Sequence, residues 1–335
     1  MKLVSYIKHW QEQAGLLIND RVFDLNALHP RLPSTMQDML NKWDKLHQFA
    51  KSSAEVLQQA AFAPGGETYD PDKLLAPLPH PPSCRDGYAF RQHVEAARRN
   101  RGVAMIPEFD QYPVFYFTNH KTVQGPGEIY CMPDHMEKLD FELEVAIVIA
   151  KEGINIKAEQ ADEYIAGLMI MNDMSARTLQ MEEMLLNLGP AKGKDFCTVT
   201  GPWLVTTDEL KQFETAPKPG HIGKSWKLPM RCSINNIIVS EACLSDMDWT
   251  FAELIERASY GVSLSPGDII GSGTCGTGCF LELNGTGKLK NPGYREQWLQ
   301  DNDIIEMEVE GLGKLQNRIS LLSSTHSLLN NKRRL

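Results

Sequence analysis

The stretch Asp140-Phe-Glu-Leu-Glu-Val-Ala-Ile-Val-Ile-Ala150 decides the reading of this chain. From Val145 onward it is an unbroken apolar run rich in branched residues, which predicts a buried strand. Side chains alternate along a strand, so Glu142 and Glu144 face one way and Leu143 the other. Two carboxylates inside a protein repel by about 4 kcal/mol at a separation of about 4 Å, for an effective dielectric of about 20. A cation turns that cost into binding, and hard oxygen ligands suit Mg²⁺, Ca²⁺ or Mn²⁺. A Glu-x-Glu by itself is more commonly the solvated face of a strand. Other residues must decide.

At 335 residues the chain can bury a large core, and a small domain over 1–80 followed by a large one over 81–330 is the natural division. With 34 basic and 43 acidic residues it is mildly acidic. Lys and Arg are spread out, apart from Arg98-Arg99-Asn100-Arg101 and Lys332-Arg333-Arg334, which argues against a nucleic-acid surface. The terminal cluster reads as a frayed tail. No apolar stretch approaches the ~20 residues needed to span a bilayer. Leu3-Val-Ser-Tyr-Ile7 starts as a strand, without a signal-peptide core. Seven cysteines with no CxxC pair suit reduced thiols, so a cytoplasmic protein is expected. Cys275 and Cys279 lack two further close ligands for a soft metal and read as small loop or core residues.

Short strands are expected over residues 3–7, 15–19 and 21–25. Ser34-x-x-Gln37 reads as a capping box opening a helix with Met36, Leu40, Trp43 and Leu46 on one stripe. A second helix is expected over residues 54–62. The prolines of Ala76-Pro-Leu-Pro-His-Pro-Pro-Ser83 forbid helix or central strand, so this is an ordered crossing in which His80 is a packed linker residue. Beyond it the pattern is strand-rich with interspersed helices, including residues 91–100, residues 175–186 and a helix capped by Thr250-x-x-Glu253. A hairpin is expected over residues 304–319. No repeat, P-loop or GxGxxG after a strand is present, so nucleotide binding has no support.

Five segments carry chemistry-bearing side chains: Asp86-Gly-Tyr-Ala-Phe-Arg-Gln-His93, the Glu142/Glu144 pair, Met171-Asn-Asp-Met-Ser-Ala-Arg-Thr-Leu-Gln180, Leu188-Gly-Pro-Ala-Lys-Gly-Lys194 running on to Thr198, and Ser265–Thr274 with Gly276–Glu282. Asp173 falls at a strand end, where folds of this kind place ligands, and Arg177 and Gln180 lie one helical turn apart. Each has a plainer reading. Asp173 could cap the helix from Ser175, Arg177 and Gln180 could form an exposed face, and Lys194 could be a solvated loop lysine. His93 could be an ordinary helix histidine, Glu282 a strand-edge charge, and Gly273 and Thr274 turn residues.

Taken together, these segments resemble the fumarylacetoacetate hydrolase family. "DFELE", "MNDMSARTLQ", "LGPAKGKDF" and "SPGDIIGSGT" match its signatures in type, order and close spacing, from Asp86 to about Ile319, roughly two-thirds of the chain. The initial segment resembles, more weakly, the small barrel domain of longer members. The resemblance implies an α+β fold with a strand-rich mixed β-roll around a metal, and a homodimer. It implies Asp86, Glu142, Glu144 and Asp173 as ligands of Mg²⁺, Ca²⁺ or Mn²⁺, with Thr198 near a second ion. It implies Tyr88, Tyr116, Arg177, Gln180 and Thr274 as substrate contacts. His93 and Glu282 are implied as the catalytic pair, with Lys194 beside them.

Chemically, a β-diketone acid would chelate the ion while His93, oriented by Glu282, takes a proton from the attacking water. Lys194 and Gln180 would stabilise the oxyanion and Arg177 would bind a substrate carboxylate. The favoured reaction is cleavage of fumarylacetoacetate to fumarate and acetoacetate, a step of tyrosine and phenylalanine catabolism. The alternatives are acylpyruvate hydrolysis, a 2-keto acid decarboxylase, hydratase or tautomerase on the same scaffold, or a non-catalytic binder of small acids. Three departures stand out, the first two bearing on substrate choice and the third on the mouth of the site. Met184 stands where the fumarylacetoacetate-cleaving enzymes carry a tyrosine, Gly102 is the nearest match to an arginine for the far carboxylate, and the Thr274–Glu282 loop is short.

Overall fold

The computed structural model describes residues 1–59 and 65–333. The Leu143–Ile149 strand lies near the middle of an 11-stranded sheet. It pairs antiparallel with Ile165–Asp173 on one side and Ile269–Gly271 on the other. Beyond Ile269–Gly271 come Cys84–Gly87 and Phe115–Thr118; beyond Ile165–Asp173 come Thr198–Thr206 and the N-terminal strands Lys2–Lys8, Gln11–Ile18 and Arg21–Asp24. The unbroken apolar run has a direct cause. Leu143, Val145, Ile147 and Ile149 enter one hydrophobic core while Ala146, Val148 and Ala150 enter another, so neither face meets water.

The second core holds Leu3, Leu16, Met36, Met39 and Leu40 from the N-terminal segment against Ala146, Val148, Met169 and Met171. The N-terminal strands also continue the central sheet, with Leu3 opposite Leu204. Residues 1–59 therefore cover the face toward which the Glu144 side of the strand points. A five-stranded sheet, ordered Ile237–Cys243, Pro229–Ile234, Ile304–Val309, Gly313–Leu321 and Gly127–Cys131, packs Met230, Cys232, Met307 and Leu315 into the first core. The fold is strand-rich α+β, and the hairpin expected over residues 304–319 is present. Among the described residues no helix is long and apolar enough to cross a membrane.

Several local expectations are corrected. The first helix is capped by Thr35, whose hydroxyl accepts from Asp38 N at 3.2 Å, one residue later than the Ser34 box. Gln37 instead donates to Pro266 O at 2.9 Å, a tertiary contact that local pattern does not reveal. The apolar stripe is split between Met36–Leu40 and Trp43–Gln59, and positions 60–62 of the second expected helix lie outside the described residues. His80 is not packed; its side chain is 84% exposed beside Glu12. The helix expected from residue 175 is Arg177–Met184, because Ser175–Ala176 pairs with Leu139–Asp140. Asp173 is therefore no helix cap. Thr250 does cap Phe251–Ser259 with Glu253 in a reciprocal box. Cys275 and Cys279 are buried free thiols.

Candidate active site

Sheet register brings the acidic residues to one place. Leu143 lies opposite Asn172, so the start of Leu143–Ile149 meets the Asp173 end of its neighbour. Asp86 is paired with Gly271 on one side and Tyr116 on the other, and Ala146 is also opposite Gly271. A β-carbon on Gly271 would lie 2.4 Å from Asp86 Oδ1 and 3.1 Å from Glu144 Oε2, so only glycine admits both carboxylates. Glu142 lies just outside the strand, where its N–H donates to Asn172 Oδ1 at 3.0 Å.

Carboxylate oxygens of Asp86, Glu142 and Glu144 lie within 4.8 Å of one another, all buried. Glu144 Oε2 and Asp173 Oδ1 are buried with no hydrogen-bond partner among the described residues. Unpartnered carboxylate oxygens in a dry pocket are costly, and an all-oxygen donor set is what a hard divalent cation takes. The cluster therefore fits such an ion. Electrostatics divide it. Burial, then the Asp173 charge, pushes Asp86 up to about 7, and burial with Asp86 pushes Glu144 well above the carboxylate range. Burial acts on Glu142 too, but Lys194 and then Arg177 outweigh it and hold it at about 2.

Lys194 is buried, with Nζ 2.5 Å from Glu142 Oε2 and 2.8 Å from Asp173 Oδ2, and is no solvated loop lysine. Tyr116 donates its hydroxyl to Asp173. Arg177 is equally committed. Its Nε donates to Asp140 Oδ2 at 2.8 Å, Nη2 to Glu142 Oε1 at 2.7 Å and Nη1 to Gln180 Oε1 at 2.9 Å. The fork expected to hold a substrate carboxylate thus holds the protein's own. Thr274 Oγ1 lies 3.3 Å from Glu144 Oε1. Thr198 is buried beside Thr118, its hydroxyl 3.3 Å from that of Thr118.

His93, on the Arg91–Asn100 helix, places Nδ1 2.7 Å from Glu282 Oε2, with both side chains buried. Glu282 is not on a strand edge; it sits in the first turn of the Phe280–Lys290 helix, and its Oε1 accepts from Thr277 N at 3.0 Å. A carboxylate can only accept, so Nδ1 carries the proton in this contact, and the neutral tautomer it selects is the one with its lone pair on Nε2. Tyr88 packs edge-on to the imidazole at 5.9 Å, its hydroxyl pushed up to about 12 by burial.

A cavity of about 1180 Å³ opens over these groups. Every site residue expected from the sequence lines it except Glu144, Asp173 and Thr198. The more exposed part of the wall mixes apolar Val114, Met181, Met184 and Leu185 with charged Glu137, Lys138 and Lys288. Arg101, rather than Gly102, reaches it from the Arg91 helix. Sequence reasoning missed Asp140: it stands within the opening motif, but its partners lie up to 141 residues away.

The profile of the fumarylacetoacetate (FAA) hydrolase C-terminal family matches residues 83–320. The oxaloacetate tautomerase YisK of Bacillus subtilis (strain 168) is 30% identical over 320 residues, covering 91% of this chain and 95% of that protein. Fumarylacetoacetase of Arabidopsis thaliana is 32% identical over 210 residues, 54% of this chain and 49% of its own. The crystal structure of maleylpyruvate hydrolase from Sphingobium sp. SYK-6 in complex with manganese(II) and pyruvate superposes with a TM-score of 0.66 at 18% identity, covering 96% of this chain and 99% of that one. With the family profile spanning residues 83–320 and a 30%-identical relative matched along nearly its whole length, this protein belongs to the fumarylacetoacetate hydrolase family.

Proposed function

We propose that this chain is a divalent-metal-dependent enzyme acting on a small β-dicarbonyl acid, and that its reaction is hydrolysis of a carbon–carbon bond in an acylpyruvate or 3,5-diketo acid, with fumarylacetoacetate as the reference substrate. The observation that carries it is the buried His93–Glu282 pair facing the cavity. Bound by Asp86, Glu142, Glu144 and Asp173, a Mg²⁺, Ca²⁺ or Mn²⁺ ion would supply Lewis-acid polarisation of the two carbonyl oxygens. His93 Nε2 takes the proton of the attacking water, while Glu282 holds the tautomer and stabilises the imidazolium. The proton then passes from Nε2 to the departing carbon as the bond breaks. Buried Lys194 and half-buried Gln180 line the same cavity and would offer N–H donors to the developing oxyanion.

A second reading is keto–enol tautomerisation of a 2-oxo diacid such as oxaloacetate, favoured by the similarity to the B. subtilis tautomerase along nearly the whole chain. The same imidazole would then move a proton between carbon and oxygen without any water attack. Following the enol absorbance of fumarylacetoacetate, acetylpyruvate and oxaloacetate in parallel, with Mn²⁺, with chelator and with His93→Ala, separates the two. Metal- and His93-dependent release of two acids supports hydrolysis. Enol–keto exchange of oxaloacetate with no cleavage of either diketo acid rejects it in favour of tautomerisation.

A further inference from the structure

Asp140 is fully buried and uses every side of its carboxylate. Oδ1 accepts from Phe141 N at 3.0 Å and Phe280 N at 2.7 Å; Oδ2 accepts from Leu281 N at 2.9 Å and Arg177 Nε at 2.8 Å. Phe280 and Leu281 open the helix that carries Glu282. The residue at that helix's own cap position is Cys279, a weak acceptor whose Sγ stands 3.5 Å from Glu282 N. The first helical N–H groups are thus satisfied from a distant strand. A local cap would fix the helix only to its own chain; a carboxylate from residue 140 fixes it to the segment that bears Glu142. Arg177 closes the loop, joining Asp140 to Glu142 through one guanidinium.

The geometry points to Asp140 as a positioning residue that holds the Glu282 carboxylate of the histidine pair and the Glu142 carboxylate of the acidic cluster to a common origin. It lies outside both the cavity lining and the acidic cluster. Its work is to keep the proton-transferring imidazole and the cation at a constant separation, the distance on which a reaction at both groups depends most steeply. The inference rests on the acid–base role proposed for His93 and is tested partly without turnover.

The experiment compares the full-length protein with Asp140→Asn, Arg177→Lys and Asp140→Asn/Cys279→Ser, the last restoring a local helix cap if the single variant folds poorly. Mn²⁺ affinity is read by electron paramagnetic resonance, and the low-field proton of the His93–Glu282 hydrogen bond by NMR, assigned through its loss in His93→Ala. Asp140→Asn, with or without the new cap, should weaken Mn²⁺ binding about tenfold and shift the imidazole signal together. With a substrate in hand, kcat should fall about 100-fold with KM little changed. Arg177→Lys should weaken Mn²⁺ binding and leave the imidazole signal in place. A lower Tm in Asp140→Asn with Mn²⁺ affinity and imidazole signal unchanged would reduce Asp140 to a helix cap and overturn the inference. Wild-type protein inactive on every β-dicarbonyl acid would instead reject the proposed function, while the two binding readouts still judge Asp140.

Discussion

Glu142 and Glu144 are two residues apart, yet they meet opposite fields: Lys194 and Arg177 hold Glu142 at about 2, whereas burial beside Asp86 drives Glu144 well above its usual range. Among the described residues two cations pair with Glu142 and none with Glu144. Glu144, with Asp86, is where an external cation is wanted.

That asymmetry sets a pH dependence. A carboxyl whose folded pKa is raised keeps a proton that the unfolded chain has already released above about 4. Between there and the folded value, about 7 for Asp86, the native state binds more protons, so this contribution to stability falls as pH rises. A divalent cation displaces those protons and removes the loss. The Tm gain on adding excess Mn²⁺ should therefore grow from about pH 5 to about pH 8 and be much reduced in Glu144→Gln. A gain that shrinks as pH rises would contradict the assignment.

His93→Ala and Glu282→Gln should each lower kcat about 10²- to 10⁴-fold with modest change in KM, since in the proposed reaction the pair acts on proton transfer rather than ground-state binding. Because the two act as one unit, the double variant should be little slower than either single one. Steady-state kinetics of all three check this, and additive losses would show independent roles.

Lys194→Met leaves Glu142 and Asp173 without their shared cation, and breaking such a buried set costs roughly 3–5 kcal/mol. The chelated variant should unfold at a clearly lower urea midpoint. Saturating Mn²⁺ should recover part of the deficit, because the metal replaces the missing positive charge. Equal midpoints for variant and wild type would mean that the lysine is not carrying the carboxylates.

Gly271→Ala inserts a methyl group 2.4 Å from Asp86 Oδ1 and 2.9 Å from Met171 Sδ. The expected cost is about 1–3 kcal/mol of stability, together with loss of Mn²⁺ affinity as Asp86 is displaced. Calorimetric titration against wild type measures it; unchanged affinity would place Asp86 outside the ligand set.

Much of this was legible in residue order. The apolar run after Glu144 announced a buried strand because burial on both faces leaves no polar position to interrupt it. Roles for Asp86, His93, Asp173, Lys194 and Glu282 were implied by the resemblance of their segments to the fumarylacetoacetate hydrolase family, whereas residue type alone left plainer readings for most of them. Caps were less legible: Ser34 and Thr35 are equally good cap residues, and Gln37 was recruited by Pro266 from the far end of the chain.

What tertiary structure alone decided is which charge answers which. Sequence placed Arg177 one turn from Gln180 and open to a ligand; folding turned its guanidinium onto Asp140 and Glu142. It placed Asp140 beside Glu142 with no assigned role; folding set a distant helix, and Glu282 with it, upon that carboxylate. The reason is physical. Local pattern reports preferences of neighbouring residues for water or for each other, whereas a buried charge takes whatever partner the packing delivers within hydrogen-bond reach, here from as far as 141 positions away.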